Sequence, residues 1–90
     1  MKAKWDYEFS ASAARHLRRL ARDTQLTILQ KIIALCDDPH HSPQVKRLRG
    51  SPDRFRLRVG AYRVVSRLTE DERLVTVERV RHRKEAYRDL

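Results

Sequence analysis

The sequence of 90 residues predicts an α+β domain: an N-terminal strand, then a two-helix hairpin packed on a mainly antiparallel sheet of about four strands. Three observations support this prediction. The length suits one domain covering residues 1–90. Apolar residues recur at helical spacing between residues 13 and 36, and after Asp53 they recur at every second position. Both apolar sets are buried if the helices cover one face of the sheet.

The first strand is predicted from Trp5, Tyr7 and Phe9, which alternate with two carboxylates. Ser10 or Ser12 can cap the helix that follows, because a serine hydroxyl accepts a hydrogen bond from a free amide of the first turn. The apolar side of this helix carries Ala13, Leu17 and Leu20, flanked by Ala14 and Ala21; Arg15, Arg18, Arg19 and Arg22 lie opposite.

A second helix is predicted to begin at Asp23 or Thr24, either of which offers an N-cap. It ends at Asp37-Asp38-Pro39, because proline cannot continue the hydrogen-bond ladder. Its apolar stripe, expected to face the core, is Leu26, Ile28, Leu29, Ile32, Ile33, Leu35 and Cys36. Trp5 and Phe55 are expected in the same core.

A short extended basic segment at 45–49 precedes the strands. After Asp53, the apolar side chains Phe55, Leu57 and Val59 point one way and Arg54, Arg56 and Arg58 point the other. Gly60-Ala61 is a predicted two-residue hairpin turn in which glycine supplies the positive φ. The return strand is predicted at 62–68, the next turn at 70–72, the last strand at 74–80 and a helical turn within 84–90.

The charge is strongly basic and unevenly distributed. The net charge is +9, and 16 of the 21 basic residues are arginine. Residues 46–90 hold 14 basic and 7 acidic residues, whereas residues 1–45 hold 7 and 5. Because the planar arginine fork matches phosphate, this bias predicts a nucleic-acid substrate for the second half of the chain.

Several classes of protein are excluded by composition. A single cysteine allows no disulfide framework and no cysteine-rich metal site, and the four histidines (His16, His40, His41 and His82) have no acid at ligand spacing. No metal and no cofactor are therefore expected. No run approaches 18 apolar residues, and no apolar segment of signal-peptide type follows the basic start, so a cytoplasmic location and no membrane partner are expected.

Three basic segments occur in order: Lys46-Arg47-Leu48-Arg49-Gly50, then the run from Arg54 to Val65, then His82-Arg83-Lys84-Glu85-Ala86-Tyr87. With the opening Tyr7-Glu8-Phe9-Ser10, they resemble the RelE/ParE superfamily of toxins from bacterial type II toxin–antitoxin pairs over nearly the whole chain. The resemblance implies a RelE-like fold and a cognate antitoxin that holds the toxin inactive. The RelE branch, which the residues favour, cleaves mRNA in the ribosomal decoding site; the ParE branch poisons DNA gyrase.

The resemblance implies a site residue by residue. Arg56 and Arg58 stand where the RelE branch has two basic residues, and Arg63 occupies the position of a phosphate-binding arginine of that branch. Tyr87 matches a C-terminal tyrosine. A further arginine is assigned to Arg83 by its His-Arg context, with Arg81, by its spacing from Tyr87, as second choice. Other cations are expected to bind RNA, namely Lys46, Arg47, Arg49, Arg54, Arg81 and Lys84.

One departure matters for the chemistry, because the best-known RelE pattern has lysines at the positions of Arg56 and Arg58. Attack of a 2′-OH on the adjacent phosphate needs that hydroxyl deprotonated, the added charge stabilised and the leaving oxygen protonated. A guanidinium is a poor base, since its pKa exceeds ~12, so these arginines are expected to stabilise charge. The proton acceptor stays open among Tyr87, Glu85 and His82, the last a second choice for the catalytic set.

Three functions compete at this point. The favoured one is a ribosome-dependent mRNA endonuclease (an mRNA interferase) that inhibits translation, with the ribosome and mRNA as partners. The alternatives are a ParE-like gyrase inhibitor and a small basic DNA-binding regulator, the last disfavoured because Lys31 is the only base of its reading helix. Under either toxin function, a +9 domain is expected to form a hetero-oligomer with an acidic antitoxin that folds on binding.

Overall fold

A computed structural model describes residues 4–40 and 45–84, which form two helices and five strands. In chain order the elements are β1 (Asp6–Phe9), α1 (Ala11–Arg18), α2 (Arg22–Asp37), β2 (Val45–Leu48), β3 (Ser51–Val59), β4 (Tyr62–Thr69) and β5 (Leu74–His82). The predicted α+β class and hairpin of helices are confirmed. The last strand extends two residues further than predicted, and the tail after Lys84 lies outside the described residues.

The five strands form one sheet in the order β1-β5-β4-β3-β2. β2 to β5 are paired antiparallel as a meander, whereas β1 pairs with β5 in parallel. The sheet therefore has one strand more than the approximate count from the sequence. The two helices lie in the connection from β1 to β2, which are the two edge strands, so this connection crosses the whole width of the sheet.

The helices cover one face of the sheet, and the core lies between them. Among the described residues, fifteen hydrophobic side chains from both layers form one buried cluster, including Ile28 and Ile32 of α2 and Val64 and Val77 of the sheet. The core positions predicted for Trp5, Phe55 and Cys36 are confirmed. On β3, Phe55, Leu57 and Val59 are buried and the intervening arginines are not, as the alternation predicts.

The helix starts are stabilised in two different ways. Ser10 caps α1 as predicted, since its Oγ accepts a hydrogen bond from the Ala13 amide at 3.1 Å. The predicted cap of α2 is wrong, because α2 begins at Arg22 after Ala21 and has no side-chain cap. Gln25 instead donates from Nε2 to the carbonyl of Leu20 at 2.8 Å, satisfying an acceptor in the link between the helices.

Two residues of the predicted core stripe of α2 are solvent-exposed. Leu26 and Ile33 are each 47% exposed, because the helices form a single layer and only the side of α2 that faces the sheet is covered. Tyr7 of β1 is also exposed, at 39%. The hairpin prediction at Gly60-Ala61 is confirmed, with Gly60 at a φ of +56° between the paired residues Val59 and Tyr62.

Within residues 4–40 and 45–84, no helix is long and apolar enough to cross a membrane. The same residues contain no group of three His, Cys, Asp or Glu side chains placed to hold a metal ion.

Candidate nucleic-acid interface

The face of the sheet opposite the helices, called here the outer face, carries most of the strand arginines. Successive side chains of a strand point to opposite faces, so the residues between buried positions point outward. Outward positions are Arg54, Arg56 and Arg58 of β3, Arg63, Val65 and Arg67 of β4, and Thr76, Arg79 and Arg81 of β5, with Lys46 of β2 beside them.

Strand register brings Arg58, Arg63 and Arg81 into one row. Arg58 pairs with Arg63, and Arg63 pairs with Arg81, so three neighbouring strands place arginines side by side. Opposed residues in antiparallel strands have Cβ atoms about 5 Å apart. This cation row can therefore bring three guanidinium groups to one phosphate, each able to donate two hydrogen bonds.

A second row lies two residues away along the strands. It contains Lys46, Arg56, Val65 and Arg79 in register, so an apolar side chain interrupts the cations at its centre. A further step along, Arg54 pairs with Arg67, and Arg67 pairs with Thr76. The outer face thus offers successive cationic positions at the roughly 7 Å spacing of alternate strand residues, which is suited to an extended polyanion.

A carboxylate offsets the positive charge of the third row, which consists of Arg54, Arg67 and Thr76. Glu78 Oε1 is 2.9 Å from Nε of Arg54, and its Oε2 is 3.6 Å from Nη2 of Arg67. Asp53 lies on the other side of Arg67, with Oδ2 3.4 Å from Nε. Arg54, which the sequence assigned to RNA binding, therefore lies in an ion-pair network.

A β-bulge places Glu78 on this face. Val65 pairs with Arg79 and Ser66 pairs with Val77, so Glu78 is the extra residue of β5. The bulge also sets the cation row. If the register of Ser66 and Val77 continued unbroken, Arg63 would pair with Val80, and the bulge brings Arg81 opposite it instead.

The two candidate C-terminal arginines occupy different places. Arg81 is half-buried in the cation row, whereas Arg83 is exposed beyond the end of β5, where its amide donates to the carbonyl of Ala61. Lys84 is exposed next to it. Strand register thus favours Arg81, the second choice from the sequence. Tyr87 and Glu85 lie outside the described residues.

His82 lies on the other side of the sheet from the cation row. It pairs with Tyr62, and the two rings meet edge to face with centroids 5.2 Å apart. Its Nδ1 accepts a hydrogen bond from the Lys84 amide at 3.2 Å. Both side chains line a cavity of about 350 Å³ on the helix side, together with His16 and Val80. The ring is thus remote from a phosphate held by the cation row.

Arg47 and Arg49 also lie away from the outer face. Arg47 pairs with the buried residue Phe55, and its guanidinium stands over that ring, 5.8 Å from the centroid. Arg49 is exposed in the turn between β2 and β3. Of the sequence-assigned RNA-binding residues at 46–49, only Lys46 stands beside the outer-face arginines, opposite Arg56.

Sequence reasoning did not single out Arg67 as a member of the outer face. Arg67 is two residues after Val65, so the period-two pattern of β4 contained a signal for it. Arg79 and Glu78 are adjacent residues that both reach the outer face because of the bulge, and a period of two cannot express that.

Comparisons with known proteins place the chain in a family. A family model described as the ParE toxin of the type II toxin–antitoxin system parDE matches residues 7–87. The chain belongs to this toxin family. It is thus a toxin of a type II toxin–antitoxin system, as the resemblance implied. No curated protein matches the sequence significantly.

Solved structures with a similar fold include RelE toxins and their complexes. The RelBE2 toxin–antitoxin complex from Mycobacterium tuberculosis matches at 26% identity and a TM-score of 0.77, covering 89% of this chain and 99% of that one. The free E. coli toxin RelE with two arginine-to-alanine substitutions matches at 24% identity and a TM-score of 0.77, covering 94% and 88%. The archaeal RelE–RelB complex from Pyrococcus horikoshii OT3 matches at 19% and 0.78, covering 89% and 96%.

Proposed function

We propose that this toxin is a ribosome-dependent mRNA endonuclease that inhibits translation. The observation that carries the proposal is the cation row of Arg58, Arg63 and Arg81, which register places side by side on the outer face. An inhibitor that only binds a protein surface does not require three arginines opposed in this way. Three guanidinium groups opposed in this way can donate to the oxygens of one phosphate.

The row suits the transition state of 2′-OH attack on the adjacent phosphate. As the 2′ oxygen bonds to phosphorus and the 5′ oxygen of the next nucleotide departs, the phosphoryl oxygens gain negative charge. Guanidinium groups already in place stabilise that charge without reorganisation, which is usually the largest catalytic effect. Arg56 and Arg79 flank the row one step along the strands and would hold the neighbouring phosphate.

Two requirements remain, a proton acceptor for the 2′-OH and a proton donor for the departing 5′ oxygen. Arginine does not accept the proton, because its pKa is above ~12. His82 faces the helix side of the sheet, so its position argues against this role. Tyr87 and Glu85 remain candidates for this step. A ribosome that orients the 2′-OH for attack would contribute further, since positioning alone is worth several kcal/mol.

The decisive experiment is cleavage of ribosome-bound mRNA by purified toxin, with Arg58→Ala, Arg63→Ala and Arg81→Ala compared with wild type. Each substitution is expected to slow cleavage by about 10²–10³-fold, the cost of removing one transition-state donor. Arg83→Ala is expected to cost much less than Arg81→Ala. Arg15→Ala, which removes an exposed arginine from α1, is the matched control and is expected to cleave at the wild-type rate. Absence of cleavage by wild type, or a double Arg58→Ala/Arg81→Ala variant as fast as wild type, would overturn the proposal.

The ParE family match supports a second candidate, inhibition of DNA gyrase. That function needs no cleavage chemistry on the outer face. Pulse labelling after induction separates the two functions. If the toxin inhibits gyrase, DNA synthesis stops first while protein synthesis continues. If the toxin cleaves mRNA, protein synthesis stops first while DNA synthesis continues.

The partner we infer is an acidic antitoxin, together with the ribosome and mRNA in the cytoplasm. A net charge of +9 with an array of outward arginines favours a segment rich in Asp and Glu that becomes ordered on binding. The solved complexes from M. tuberculosis and P. horikoshii pair their own toxins with antitoxins. Growth arrest on expression of the toxin alone, relieved by the neighbouring reading frame, is the expected result. Harmless expression of the folded toxin alone would contradict it.

A further inference from the structure

A groove of about 510 Å³ opens on the outer face beside the cation row. Its apolar lining comes from Val65 at the centre of the sheet and Leu48 at the end of β2. Its polar lining comes mainly from Arg54, Thr76, Glu78 and Arg79. A site of this size, with apolar walls and a few polar groups, is typical of small-ligand binding.

The groove lies one step from the proposed phosphate site. Val65 follows Arg63 by two residues on the same face of β4, a separation of about 7 Å. Val65 also pairs with both Arg56 and Arg79, so cations stand on either side of it. A nucleotide whose phosphate lies on the cation row can therefore lay its base on Val65.

Glu78 gives the groove its chemical preference. Its side chain is 26% exposed and is held by Arg54 at 2.9 Å and by Arg67 at 3.6 Å. An ionised carboxylate only accepts hydrogen bonds. It can therefore bind the amino group of cytosine, adenine or guanine, whereas uracil presents a carbonyl oxygen where cytosine has its amino group.

We propose that this groove is a nucleobase subsite for the nucleotide at the cleaved phosphate, and that Glu78 selects bases with an exocyclic amino group against uracil. The subsite rests on the proposed RNA-cleaving function and extends it to substrate choice. The bulge in β5 is what makes it possible, because the extra residue brings Glu78 beside Arg79 on the outer face.

Cytosine and uracil are matched ligands for the test, because they have the same size and differ only on their hydrogen-bonding edge. In ribosome-bound mRNAs that differ by C or U at the cleavage site, wild type is expected to favour C by at least about tenfold, the effect of one base-edge contact. Glu78→Gln is expected to reduce this ratio to about 2–3-fold, because an amide can both donate and accept. Glu72→Gln, the same change in the exposed turn before β5, should retain the full ratio.

Affinity for short oligonucleotides of C and of U provides a readout that does not depend on cleavage. Wild type should bind oligo(C) more tightly than oligo(U), and Glu78→Gln should lose most of that difference. Val65→Phe fills the groove but keeps all three arginines of the cation row, and it should also lose the difference in affinity. Equal affinity of wild type for the two oligonucleotides, or an unchanged preference in Glu78→Gln, would overturn the subsite. Absence of cleavage with a retained preference would overturn only the proposed function.

Discussion

Cys36 has the most perturbed ionisable side chain among residues 4–40 and 45–84. It is fully buried at the end of α2, and its thiol points towards the carbonyl of Asp6, with the sulfur 3.8 Å from the oxygen. Burial, and to a smaller extent the nearby carboxylates of Asp37 and Asp6, raise the pKa of the thiol from 9.0 to about 11. The side chain is therefore a protonated core residue at neutral pH, as its place in the apolar stripe predicts.

This shift predicts a pH dependence of stability. The unfolded thiol loses its proton at lower pH than the folded one, so the folded state binds more protons between pH 9 and about 11. The contribution is complete below pH 9 and is lost as the pH rises through that window, by at most about 1.4 kcal/mol per unit. In chemical unfolding, the free energy of unfolding of wild type should fall with rising pH more steeply than that of Cys36→Ala. The variant is expected to be less stable than wild type throughout. Parallel curves for the two proteins would show that the thiol does not titrate differently on unfolding.

At the level of elements, Ser10 joins α1 to the sheet. Its Oγ accepts from the Ala13 amide at 3.1 Å and donates to the carbonyl of Glu78 at 2.9 Å. Ser10→Ala removes both bonds and is expected to lower the free energy of unfolding by about 1–2 kcal/mol. Ser12→Ala, an exposed position in the first turn of α1, should change it little. Equal effects of the two substitutions in urea titrations would refute the role of Ser10.

Local patterns were enough to predict most elements, but not how the strands meet. The alternation of Phe55, Leu57 and Val59 with arginines predicts both faces of β3, because burial of one face dictates it. The parallel pairing of β1 with β5 connects residues far apart in sequence, and no local period reports it. The α2 start was missed because the cap signal at Asp23 and Thr24 is only a weak preference.

The site shows the same division. Arg56, Arg58 and Arg63 are on the outer face, as the strand pattern and the resemblance led us to expect. The choice between Arg81 and Arg83 depends on the bulge at Glu78, since a single extra residue changes every pairing after it. Sequence context around His82 pointed to Arg83, whereas the register of the whole strand pair points to Arg81.

For the whole molecule, the positive charge lowers the stability of the folded state and is also the basis of the proposed activity. The net charge is +9, and the cation row sets Arg58 directly opposite Arg63. Like charges opposed across strands are destabilising, and a strong net charge disfavours the compact state. Binding of an acidic antitoxin or an RNA would relieve both effects, so either ligand should raise the unfolding temperature.

A variant that removes one charge of the row is therefore expected to be more stable and less active than wild type. Arg58→Gln removes one charge from the row and is expected to raise the free energy of unfolding by about 0.2–1 kcal/mol at low salt. The gain should largely disappear near 1 M salt, where the Debye length is about 3 Å. Cleavage of ribosome-bound mRNA should fall sharply in the same variant. Arg15→Gln makes the same charge change on α1, without an opposing arginine across a strand pair, and should gain less. If Arg58→Gln were less stable at low salt, or its gain were independent of salt, the row would not be a site of charge repulsion maintained for function.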